Sequence, residues 1–297
     1  MQSNHEGHHE ETANGLLLLV SGDGIPLLVR TYGEVHTPPS AAVGIVSALF
    51  HAAKREKNGT TEGTGLRLQA LESTHRTIVY ETTALDFLLV FASDKPRNAC
   101  KPCSSTRRML RTVFAALSML IGERNLRNWD SSRLRAAIAK QIEVVDAIAT
   151  RFRIDARFIF GRPVCDALAH WQLDEGDIGD DKRLLQGMWL DSGVLVGEFS
   201  QQDSPIKLNA RELLLLIIMG ECVARRDCDY AYHVARVDVA CIQTDVKVVI
   251  CNSSRVPLTT FIGVFTDQTA DDEALRKEVR YRHSLALTVG NWNFRLT

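Results

Sequence analysis

Gly15-Leu-Leu-Leu-Leu-Val-Ser-Gly-Asp-Gly-Ile-Pro-Leu-Leu-Val-Arg30 decides how this chain is read. Two short apolar segments, residues 16–20 and 27–29, flank Ser21-Gly22-Asp23-Gly24, small or polar residues of the kind that tolerate φ > 0 in a hairpin turn. Pro38 and Pro39 follow, and neither can lie in a helix interior. Ser40 then stands as an N-cap before an apolar stripe of Val43, Val46, Leu49, Phe50 and Ala53. The spacing predicts an amphipathic helix over 40–54. Lys54-Arg55-Glu56-Lys57-Asn58-Gly59 ends it, with positive charge, an αL-tolerant Asn and a Gly where a helix C-terminus favours them.

Three more strands are expected beyond this opening, at 66–72, 77–81 and 86–92. Leu66, Leu68 and Ala70 alternate with polar residues, whereas residues 87–91 are continuously apolar, as suits a strand at the sheet centre. The stretch 94–105 holds two prolines and two cysteines among basic residues and reads as a loop. A helix over 106–121 places Leu110, Val113, Phe114, Leu117 and Leu120 on one face, and Gly122 and residues 125–128 break it. Asp130 or Ser131 caps a further helix running to Phe152, with Leu134, Ile138, Ile142, Val145 and Ile148 as its inward stripe. The order ββαβββαα predicts a five-stranded antiparallel sheet, with helix 40–54 on one face and the two later helices on the other.

Residues 153–182 read as a connector with a short helical piece near 164–171. Its acidic run, 174–181, lacks the ligand spacing and terminal Glu of a calcium loop and reads as solvated linker. The pattern then restarts, with strands at 184–190 and 194–199 around Asp191-Ser-Gly193. Asn209 caps a helix over 210–223, strands are expected at 233–243 and 246–252, and a last helix from about 257 to 280. This is the first order repeated in degenerate form. The expected fold class is α/β, of the α+β type, with two tandem domains that each hold an antiparallel five-strand-type sheet flanked by helices. Residues 1–14 are expected as a disordered tail, 15–152 as the first domain, 153–182 as linker, 183–280 as the second domain, and 281–297 as an unassigned tail.

The chain has 297 residues and a formal charge of −1, so no electrostatic surplus points to nucleic acid as a partner. Its first residues lack the basic-then-apolar order of a signal peptide, and its longest apolar runs are too short to cross a bilayer. A cytoplasmic protein is expected. The odd set of seven cysteines argues for reduced thiols. Cys100-Lys-Pro-Cys103 has redox spacing but follows a meander rather than the first strand of a βαβ unit. As half of a zinc site it needs a second pair, and Cys222 and Cys228 have no histidine nearby. Structural thiols are the expectation, with a Cys-dependent metal or redox protein as the alternative of another class. No phosphate loop and no nucleophile elbow occurs, and His51, His75, His170, His233 and His283 have no carboxylate or Cys at useful spacing. No catalytic, cofactor-binding or metal-binding residues are therefore expected, and no enzyme. The pairs Arg107-Arg108 and Arg225-Arg226 read as solvated, with a peripheral contact to anionic lipid as their functional counterpart.

The hairpin 15–30, with its Gly-x-Pro-Leu second strand, resembles the opening of the first longin domain in the Fuzzy/Mon family of tandem-longin proteins. Val113-Phe-Ala-Ala-Leu-Ser-Met-Leu-Ile-Gly122 with Ser132-Arg-Leu134 is similar to a helix pair near the end of that domain. Strand-turn-strand 187–199 and helix 208–219 resemble the second longin domain of the Mon branch. The resemblance covers roughly residues 15 to 265 and rests on order and lengths rather than on a chemically diagnostic motif. The long interval 32–40 and the helix ending at Gly122 are closest to the Fuzzy branch, whose members serve planar cell polarity and ciliogenesis. The family also has a third longin domain, for which this length leaves no room.

The resemblance implies a scaffold that pairs with another longin-domain protein, Inturned-like or the Mon partner. With it the chain would act on a Rab-type small GTPase as an exchange-factor subunit, at the cilium base or peripherally on endomembranes. The Mon-type alternative is a vacuole or endosome fusion factor of the same biochemical kind. By likeness to longin assemblies, the first helix and the adjoining strand form the partner interface. Ser47, His51 and Lys54 are the candidate contact residues, opposite the stripe of Val46, Leu49 and Phe50.

Overall fold

The computed structural model describes residues 14–33, 44–45, 48, 69–94, 103–152, 154–160, 162–165, 171–172, 184–200, 208–224, 230–239, 244–253, 259–265 and 271–290. The chain divides into two compact units. The first comprises Met1–Phe114, Asp130–Ala139 and Ala149–Ile154; the second comprises Ala115–Trp129, Lys140–Ile148 and Asp155–Thr297.

In the first unit, β1 (Gly15–Val20) and β2 (Pro26–Tyr32) form the expected hairpin, from Gly15 opposite Tyr32 to Val20 opposite Pro26. Ser21 and Ile25 close the turn between N–H and carbonyl at 2.9 Å, and the Ile25 N–H also donates to the Ser21 hydroxyl at 3.2 Å. Strands β3 (Ala70–Glu72), β4 (Arg76–Thr82) and β5 (Leu88–Asp94) complete an antiparallel sheet of order β2-β1-β5-β4-β3. The apolar run that predicted a central strand is β5, between β1 and β4. Both sheet faces are buried, since every residue of β1 is covered. Leu16, Leu18, Val20, Tyr80, Leu88 and Val90 pack together on one face. Facing the other way, the Phe91 ring meets Phe152 edge-on, with centroids 6.1 Å apart. Burying each such leucine is worth about 2 kcal/mol.

After β5 the chain continues as α1 (Cys103–Ile121), α2 (Glu123–Asn128), α3 (Ser131–Lys140) and α4 (Ile142–Arg151). Asp130 caps α3 as expected, accepting the N–H of Ser132 at 2.9 Å and of Arg133 at 3.0 Å. Four readings here need correction. Cys103, Ser104 and Ser105 belong to α1 rather than to the loop before it. Gly122, at φ 89, does end α1, but residues 125–128 continue as α2 because Leu126 donates back to the Gly122 carbonyl and is itself buried. The single helix expected to Phe152 is two, broken at Gln141, near where the chain passes from the first unit to the second. In the connector, α5 (Ala156–Phe160) is a helix that the sequence reading did not place, and the helical piece expected near 164–171 has non-helical ends, Trp171 beginning a strand, β6 (Trp171–Gln172), while 166–170 lie outside the described residues.

The second unit repeats the first. Strands β7 (Leu184–Asp191), β8 (Val194–Ser200), β9 (Tyr230–Val239), β10 (Thr244–Ser253) and β11 (Thr259–Phe265) are antiparallel in the order β8-β7-β11-β10-β9, with β6 added in parallel outside β8. The order is that of the first sheet, strand for strand. β11 and α7 (Asp272–Gly290) correct the sequence reading, which expected one helix from 257 to 280 and an unassigned tail from 281. Thr259–Phe265 is short, β-branched and aromatic, and periodicity alone does not separate such a buried strand from a buried helix. It holds the central place that β5 holds in the first sheet.

Helices cover both faces of this sheet. On one, α6 (Ala210–Ala224) lays Gly220 over Thr260, Ile262 and Ile250, and Asn252 Nδ2 donates to the Gly220 carbonyl at 3.2 Å. On the other, Leu275 and Val279 of α7 join Trp189, Val249, Cys251, Phe261 and Phe265. The chain thus has an α/β fold of two antiparallel sheets flanked by helices.

Candidate functional site

The expected contact residues Ser47, His51 and Lys54 lie outside the described residues. Their neighbours Gly44, Ile45 and Ala48 are helical and exposed, as residues between the positions of the apolar stripe should be. The adjoining strand is described fully. β2 buries Leu27 and Tyr32 but exposes Val29, Arg30 and Thr31, and Ile25 at the hairpin turn is also exposed. It forms one edge of the first sheet, and no strand among the described residues pairs with its outer side. At its start, Arg135 of α3 donates from Nε to the Pro26 carbonyl at 2.9 Å.

The equivalent edge of the second sheet is closed. Trp171 lies opposite Gly197 and Gln172 opposite Glu198 in parallel pairing. One turn of chain earlier, Cys165 bridges to Leu195, whose N–H donates to the Val164 carbonyl at 3.0 Å. Cys165 and Trp171–Gln172 therefore pair along the outer side of β8. Duplication supplies two equivalent edges, and only one has its own covering strand among the described residues.

At the opposite edge of the first sheet, α1 is tied down by charge. Glu81 receives Arg111 at 2.7 Å and Arg107 at 3.4 Å, and Arg107 also donates to Gln69 at 2.8 Å. Arg107 is thus engaged with the sheet rather than solvated, which corrects the reading of its basic pair.

One ion cluster went unseen in the sequence. Arg157 of α5 donates to Asp155 at 2.7 Å, to both carboxylate oxygens of Glu221 in α6, and to the Gly193 carbonyl at 3.2 Å. Burial disfavours its charge, but the hydrogen bonds it donates to Asp155 and Glu221 outweigh that and hold its pKa above the usual arginine value. Gly193 takes φ 83, and a Cβ there would run into the Glu221 carboxylate. The three side chains consume one another's hydrogen-bonding capacity, so the cluster clamps α5, α6 and the β7–β8 turn instead of presenting a reactive group. At a sequence separation of 64 between Arg157 and Glu221, no local spacing announces the pair.

Among the described residues no three His, Cys, Asp or Glu side chains gather as a metal site, and no helix is long and apolar enough to cross a membrane. Cys100 lies outside the described residues. Cys165 is exposed, Cys251 is buried, and the Cys222 thiol lies 3.7 Å from the Glu143 carbonyl. What the described surface offers is backbone edge and exposed apolar side chains, the chemistry of recognition. No protein-family model matches the chain, and comparison with curated proteins finds no significant match.

Proposed function

We propose that the chain is a non-enzymatic scaffold of the Fuzzy/Mon kind. It pairs with another longin-domain protein, Inturned-like or the Mon partner, and acts with it on a Rab-type small GTPase as an exchange-factor subunit. The observation that carries the reading is the duplication: two sheets of identical strand order, each with helical residues between its second and third strands. Exchange of this kind needs no titrating side chain. A scaffold that binds the nucleotide-free GTPase better than the loaded form shifts the equilibrium towards release, and about 1.4 kcal/mol of differential affinity suffices for a tenfold effect. Such a protein works in the cytoplasm, at the cilium base or peripherally on endomembranes, in polarity, ciliogenesis and vesicle traffic.

The test is affinity purification of the full chain with identification of what it retains, followed by nucleotide release from the recovered GTPase. Recovery of a longin-domain protein and a Rab-type GTPase is expected, with release accelerated at least about tenfold by the pair. Recovery of neither, or bound zinc lost on replacing Cys100 and Cys103 by Ser, would favour the Cys-dependent alternative.

A further inference from the structure

We draw no further inference here: the strongest candidate, the outer edge of β2 in the first sheet, where Ile25 and Val29 are exposed, carries nothing because nothing in the structure shows what covers it.

Discussion

Arg157 carries the largest single-residue consequence in the second unit. Its guanidinium is nearly buried, with 13% of the side chain exposed, and it pairs with both Asp155 and Glu221. Removing one member of such a cluster leaves partly buried charge less well compensated. Arg157→Met is expected to cost about 3 kcal/mol, within the range for breaking a buried pair, measured as a fall in the urea midpoint at unchanged m-value. Adding Glu221→Gln should return part of that loss, because a less well compensated carboxylate is then gone. Asp130 gives a pH signature instead. Its carboxyl is held below the usual carboxylate value first by the N–H of Arg133, with burial opposing and Ser132 assisting. A carboxyl whose folded pKa lies below its unfolded one stabilises the protein fully above the unfolded value, and the contribution disappears as pH falls through the folded one. Asp130→Asn keeps the cap acceptor without the titration. Unfolding midpoints followed from pH 6 downward should therefore fall less steeply in the variant, and identical acid limbs would contradict the assignment.

Helix ends are where local sequence speaks most plainly. Asn209 accepts the Glu212 N–H at 3.0 Å while Glu212 returns a bond to the Asn209 N–H at 2.8 Å, a reciprocal cap that starts α6 where the sequence placed it. Asn209→Ala should cost about 1 kcal/mol, read by chemical denaturation, and Asn209→Asp should cost little. The interiors of apolar segments speak less plainly. In α6 the run of Leu213–Met219 is unbroken in its apolarity and buried from Leu214 onward, and a strand such as β11 shows the same unbroken apolarity. Length separates the two, since α6 continues for 15 residues and β11 for 7.

At the scale of the molecule, duplication without identical edges is the main feature. The first sheet leaves β2 without a paired outer strand among the described residues, while the second brings β6 to β8. The matching edge of the second sheet is occupied by β6, so the two units differ at the one place where their strand orders are otherwise the same. If the first helix and its adjoining strand form the longin interface, Ser47→Glu with His51→Glu should weaken capture of the partner while stability changes by no more than about 0.5 kcal/mol, as is usual for exposed substitutions. Pull-down together with a thermal melt checks both halves, and undiminished capture would take the helix out of the interface.

The sequence by itself determined the elements whose signals are local. The hairpin at Ser21-Gly22-Asp23-Gly24, the caps at Asp130 and Asn209, the end of α1 at Gly122 and the restart of the pattern at Leu184 all follow from turn chemistry, capping and period, each settled within a few residues. From them the two-sheet α/β class was legible, as was the central place of β5. Tertiary structure alone decided what depends on distant partners. β11 is a strand because β7 and β10 flank it with open backbone, and Trp171–Gln172 pair with β8 because that edge offers unpaired backbone groups. The same holds for Arg157 and Glu221, since electrostatics acts through space and the fold alone makes neighbours of residues so far apart in the chain.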